Sequence, residues 1–159
     1  KILRVEAEKR VERTVYEAEQ AYLNQFDALG KRKRGVNYMP FDGASGGMTV
    51  CNLGGHKDNY AEWNKVFSEK GGKYKMTISY VPSDNTKSQI KNKEVKDRRI
   101  EVTVNGTRTS LDNLETDRSK GVQKVDIDVE LQPGYNVVRI GSRLSWSHDI
   151  DCFVLERME

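Results

Sequence analysis

Carboxylates two residues apart recur along this chain, at Glu6 and Glu8, Glu17 and Glu19, and Asp149 and Asp151. In extended backbone the side chains alternate between faces, so each such pair projects from one face. Acidic groups brought together without a counter-ion repel one another and are costly to ionise. A hard cation such as calcium, which takes about six to eight oxygens from carboxylates and carbonyls, removes that conflict. Other chemistries lack their residues. No Ser/His/Asp triad, nucleophile elbow or P-loop is present, and two histidines, His56 and His148, are too few for a histidine-rich catalytic metal site.

The elements that would position these groups are strands. Segments 60–67, 73–81, 100–105, 123–131, 135–140 and 150–156 place apolar side chains at every second residue, as in Met76, Ile78 and Tyr80, or Val125, Ile127, Val129 and Leu131. Gly71-Gly72, Asn105-Gly106 and Pro133-Gly134 supply turns between them. The pattern predicts an all-β fold, an antiparallel β-sandwich of jelly-roll type. Residues 83–99 are polar and lysine-rich and read as a long exposed loop. From Glu6 to Leu23 the local spacing of Val11, Val15, Ala18 and Tyr22 favours a helix.

With 159 residues the chain fits one domain. Its 27 basic and 24 acidic side chains leave a net charge of +3, far from the excess that phosphate-backbone binding calls for, so nucleic acid is not an expected partner. No apolar run of about 18 residues is present, and hence no helical membrane span is expected. The start lacks a signal peptide, and the chain reads as a piece of something longer. Cys51 and Cys152 match no zinc or redox spacing and read as buried small hydrophobes; a disulfide between them stays open for an exported protein.

Six pieces in order carry a resemblance: Tyr16-Glu17-Ala18-Glu19, Gly43-Ala44-Ser45-Gly46-Gly47, Asn59-Tyr60-Ala61-Glu62-Trp63, Arg99 to Gly106, Leu131 to Ile140, and Asp149-Ile150-Asp151. Together they resemble carbohydrate-binding module families six and thirty-five, which share a galactose-binding-like β-sandwich. The resemblance implies strands for 15–24 in place of the local helix. It also implies a structural calcium ion on Glu17, Glu19 and Asp151, with main-chain oxygens from the 43–49 loop, tying the first strand to the last. The 17–19 copy of Glu-Ala-Glu is chosen because Gln20-Ala21-Tyr22-Leu23 follows it as the family's next positions do. Residues 1–13 are similar to the closing strand after the catalytic barrel of melibiase-type α-galactosidases, or form a linker, which leaves 14–159 as the module.

The resemblance further implies a sugar site among the loops at one end of the sandwich. Rings cover the apolar face of a pyranose there while polar groups take its hydroxyls. Tyr38 and Phe41 in the 35–49 loop, and Trp146 in the 141–149 loop, are the candidate platforms; Trp63 lies in an alternating strand and reads as core. Arg143 and His148 are candidate donors. Asp149 stands where an asparagine commonly contacts sugar in family-six modules, and an ionised aspartate only accepts hydrogen bonds. The basic run Lys31 to Arg34 makes a uronic-acid-containing glycan an option beside a galactose-containing one. The expected function is non-catalytic: a secreted, periplasmic or cell-surface module that binds carbohydrate and targets the catalytic domain of the same chain, a glycoside hydrolase, to polysaccharide. The alternative is a structural accessory domain that packs against its parent enzyme without sugar binding.

Overall fold

The structure, a computed structural model, describes residues 12–26, 35–83 and 98–158. The closing-strand match over the first dozen residues, the Lys31 to Arg34 run and nearly all of the 83–99 loop therefore lie outside the described residues. Among the described residues eleven strands form: β1 (Arg13–Glu17), β2 (Tyr22–Asn24), β3 (Asn37–Pro40), β4 (Met48–Cys51), β5 (Tyr60–Ser68), β6 (Gly72–Val81), β7 (Ile100–Val104), β8 (Thr107–Leu111), β9 (Gln123–Leu131), β10 (Gly134–Gly141) and β11 (Asp149–Arg157). They form two antiparallel sheets. One runs β3-β4-β11-β6-β9, with β1 also paired to β11, and the other runs β2-β5-β10-β7-β8. Among the described residues no helix is long and apolar enough to cross a membrane.

Alternation explains the layering. Tyr74, Met76, Ile78 and Tyr80 of β6, Ile100, Val102 and Val104 of β7, and Ile150, Phe153 and Leu155 of β11 enter one core between the sheets. Trp63, only 2% exposed, meets the Phe153 ring edge-on at 4.9 Å and is core, as its strand position predicts. The polar strand β8 has no apolar alternation to announce it. It forms because Asn105 and Gly106, with φ of 48° and 88°, make the tight turn that folds it back along β7.

The helix favoured locally over 6–23 is not found in its described part. Burying Ala18 and Ala21 between two sheets wins over helical spacing, and a single 3-10 turn, Ala18–Gln20, separates β1 from β2. That turn carries the chain from the six-stranded sheet to the five-stranded one. Cys51 and Cys152 are both free and buried. Ile150 pairs with Val50, so the antiparallel register sets Cys51 opposite Asp149, and no disulfide joins the two thiols.

Asn59, fully buried, organises the loop end of the sandwich. Its Oδ1 accepts from the backbone N–H of Phe26 at 3.2 Å and of Val36 at 2.8 Å, while its Nδ2 donates to the carbonyls of Asn52 at 2.7 Å and Gly54 at 2.9 Å. Three separate chain segments hang on one amide. Removing it strands buried polar groups, each at a cost of about 1–3 kcal/mol. Asn59→Ala should thus lower unfolding free energy by about 3 kcal/mol in urea denaturation, and a loss below about 1 kcal/mol would show that the loops hold without it.

Candidate metal and ligand sites

The acidic cluster forms at the sandwich edge. β1 ends at Glu17, paired with Cys152 of β11, and the 3-10 turn that follows places Glu19 beside the 41–47 loop. Strand alternation does not bring Glu17 and Glu19 to one face, because the chain stops being extended between them. Asp149 and Asp151 are parted as well. β11 shifts register against β6 between Ile150 and Cys152, leaving Asp151 as the extra residue of a bulge. Ile150 and Phe153 both stay in the core, and the Asp151 carboxylate is sent to the cluster.

There the Ser45 backbone N–H donates to both Asp151 oxygens, at 2.9 and 3.1 Å, and the Ser45 hydroxyl donates to Glu17 Oε1 at 2.7 Å. Glu17 Oε2 is buried without a partner among the described residues. Ligand atoms of Glu17, Asp151 and Cys152 lie within 4.8 Å of one another. Glu19 lies against the loop; a Cβ on Gly46 would sit 2.2 Å from its Oε1, so a larger residue there would push the carboxylate aside. Burial raises the pKa of the Asp151 carboxyl, and the charges of Glu17 and Glu19 push it further the same way. Burial, then Asp151, lift the Cys152 thiol to about 11, so the sulfur stays protonated and the donors on offer are hard oxygens. An orphaned buried oxygen among mutually repelling carboxylates fits a hard cation.

The residues expected to meet sugar are dispersed. The Tyr38 hydroxyl donates to the Ala21 carbonyl, and its ring packs on the core. Phe41 is half-buried, with the Arg118 guanidinium 5.2 Å from its ring centre. Arg118 in turn pairs with Asp149 at 3.0 Å. Asp149 is buried, and desolvation raises its carboxyl pKa against the opposing pull of Arg118. Trp146 is only 8% exposed and its backbone bridges Gly54, which withdraws it from the role of an open platform. His148 is fully buried; its Nδ1 accepts the Ser83 N–H at 2.9 Å and its Nε2 has no partner among the described residues. His148 is thus no surface donor.

Arg143 alone of these lines an open cleft, of about 500 Å³, on the outer face of the five-stranded sheet beside the 56–60 loop. Its companions Tyr60, Glu101, Arg108 and Arg139 were not foreseen. The only signal for them in the sequence is that each occupies the polar phase of an alternating strand, and alternation names the face without naming which strands lie side by side.

No family model matches this chain, and no curated protein does. Solved structures do match. A family 35 carbohydrate-binding module from Clostridium thermocellum superposes with a TM-score of 0.72 at 24% identity, over 91% of this chain and 98% of that one. A module of the same family from Paenibacillus barcinonensis gives 0.63 at 18%, over 91% and 99%. The fold is that of family 35 carbohydrate-binding modules. An exo-β-1,3-galactanase from Phanerochaete chrysosporium gives 0.70 at 23%; the alignment covers 91% of this chain, which spans 29% of the galactanase. Identities of 18–24% make this a likeness of fold.

Burial, with Arg98 adding to it, drives the His148 pKa from 6.5 down to about 4. As pH falls from 6.5 towards 4 the unfolded chain takes up a proton that the folded one refuses, so stability is lost through that window, up to roughly 3 kcal/mol. In urea denaturation at stepped pH, His148→Gln should flatten the acid-side slope. Equal slopes in the two proteins would acquit His148.

Proposed function

We propose that this chain is a non-catalytic carbohydrate-binding module, held closed by one calcium ion and serving to keep an attached glycoside hydrolase near polysaccharide. The observation that carries the reading is the conjunction of two things. The chain follows the fold of family 35 modules over nearly its whole length, and Glu17 and Asp151 come together beside Cys152 where β1 runs along β11, with the charge of Glu19 also felt at Asp151. Calcium would be held by these carboxylates, with the 41–47 loop closing over them, and would neutralise the charge that burial now penalises. The same carboxylates do not resemble a glycosidase pair. A glycosidase needs two carboxyls about 5–9 Å apart flanking a substrate bond, whereas Glu17 and Asp151 share Ser45 at an edge and take no part in lining the open cleft.

Carbohydrate as the ligand is supported by the fold and by a sheet-face cleft rich in hydrogen-bonding groups. The neighbouring exo-β-1,3-galactanase makes galactose-containing glycans the first to try. A second reading, an accessory domain that packs on its parent enzyme without binding sugar, is favoured by the burial of Trp146 and by the way Arg118 covers Phe41. Glycan-array titration with calcium present separates the two, since the binding reading requires a hit among galactose-, mannose- or uronate-containing glycans and the accessory reading requires none.

The ion has its own test. Calcium at about 100 times its dissociation constant should add about 2.7 kcal/mol to the chelator-treated protein, which appears as a rise of several degrees in melting temperature. Asp151→Asn should abolish that rise, yet in chelator it should melt no lower than the parent, because it removes one of the repelling charges. An unchanged melting temperature on adding calcium to the parent sinks the clamp.

A further inference from the structure

Residues 112–122 carry the chain from β8 in the five-stranded sheet to β9 in the six-stranded one. The first half of this connection is anchored. Leu114 packs on the core, and the Glu115 backbone N–H donates to the Tyr80 hydroxyl at 3.0 Å. The second half, Thr116 to Gly121, has no apolar side chain to bury. It winds into a single 3-10 turn, Arg118–Lys120, whose N-cap Asp117 accepts the Ser119 N–H and whose end is Gly121 with φ of 71°. Lys120 pairs with Glu115, a contact that stays inside the connection.

Arg118 makes the tie to the rest of the sandwich. One terminal nitrogen donates to Asp149 Oδ2 at 3.0 Å and to the Pro82 carbonyl at 3.2 Å, and the guanidinium carbon lies 5.2 Å from the centre of the Phe41 ring. A charge-assisted hydrogen bond to a buried carboxylate is one of the stronger polar contacts, and a cation facing a ring adds to it. Water weakens both. The Arg118 side chain is 38% exposed while Asp149 beneath it is 8% exposed, so the fastening is open to solvent from outside and its removal uncovers an acceptor. What Arg118 covers is a ring face beside oxygen acceptors. A pyranose asks for the same two things, since its CH-rich face packs on a ring and its hydroxyls donate to acceptors.

We propose that Arg118 is a latch, holding residues 116–121 down over Phe41 and Asp149, and that a saccharide reaches this pair only when the latch swings away. The proposal rests on carbohydrate being the ligand class. It turns the binding module and the silent accessory domain into the open and closed states of one site. Apparent affinity there equals the open-state affinity reduced by the fraction of molecules that are open. None of Phe41, Arg118 and Asp149 lines the cleft on the outer sheet face, so a ligand held in that cleft does not feel the latch.

The test combines amide exchange with glycan binding in the parent and in Arg118→Ala, Arg118→Gln, Arg118→Lys and Lys120→Ala. Amides of 116–121 should exchange about tenfold faster in Arg118→Ala, with those of β6 and β11 unchanged. Arg118→Gln, the gentler change because it leaves Asp149 a neutral donor, should move the same amides in the same direction. Arg118→Lys keeps the charge and should restore most of the protection, and Lys120→Ala, which breaks only the internal pair, should match the parent. On an array of galactose-, mannose- and uronate-containing glycans with calcium present, at least one glycan should bind Arg118→Ala about tenfold more tightly than the parent. Parent-like exchange over 116–121 in both Arg118→Ala and Arg118→Gln overturns the latch. Glycans that bind parent and both variants equally well also overturn it, while leaving carbohydrate binding intact. Absence of binding to every glycan, in parent and variants alike, overturns both the carbohydrate reading and the gating of sugar.

Discussion

The structure turns on the bulge in β11. This strand is bonded on one side to β6 along nearly its whole length and on the other to β4 and then β1, so every element of the six-stranded sheet except β3 and β9 touches it directly. A strand in that position has no free edge on which to accommodate error. Ile150 and Phe153 must both enter the core, yet they are three residues apart, and strict alternation would send one of them out. The inserted residue repairs the phase. The residue so displaced is an aspartate, and its carboxylate is buried with no charge of opposite sign directly upon it.

That displaced charge dictates the surroundings. The 41–47 loop folds down until Ser45 gives it a backbone N–H, which brings the serine hydroxyl onto Glu17 and Gly46 against Glu19. A hydrogen bond to a charged group contributes about 1.5–3 kcal/mol, while burying a carboxylate beside two like charges costs several kcal/mol. Ser45 alone does not balance the account, and the orphaned Glu17 oxygen shows that the protein's own donors run out before the acceptors do. Lysine or arginine would have been the usual remedy, but the nearest cation felt by Asp151 is Lys124, and it acts more weakly than either glutamate. The imbalance stays with the carboxylates, and it shows in the raised pKa of Asp151.

Much of this was legible in the residues. Period-two alternation places the central strands of both sheets because those strands bury one face, and burial is what alternation reports. The edge elements escaped for the converse reason: β8 has a single apolar residue, Leu111, to bury, and β3 and β4 are four residues each. The order of short motifs pointed to Glu17, Glu19 and Asp151, of which Glu17 and Asp151 come together beside Cys152, though not through the geometry expected. An extended 16–20 was assumed where the chain takes a 3-10 turn, and one shared face was assumed for Asp149 and Asp151 where a bulge divides them. Bulges and turns are set by how neighbouring strands must register, which no single stretch of sequence encodes. Trp146 and His148 failed as surface residues for a related reason. Serines around a ring suggest solvent, but Ser142, Ser145 and Ser147 are themselves buried and bonded within the loop.

The near-neutral composition conceals a segregation that the fold creates. Acidic groups gather at the edge where the chain's first and last strands join, and arginines gather on the wet face of the opposite sheet, each group held by a single buried carboxylate, Asp151 in one place and Glu101 in the other. The two carboxylates meet opposite fates because of what the backbone supplies. Asp151 lies in a bulge among acids and receives one N–H, whereas Glu101 lies in regular strand, with Arg108 and Arg143 reaching it from β8 and from the loop after β10. The first arrangement leaves acceptors without donors and the second leaves donors without acceptors. The core that lies between the sheets keeps the two groups apart.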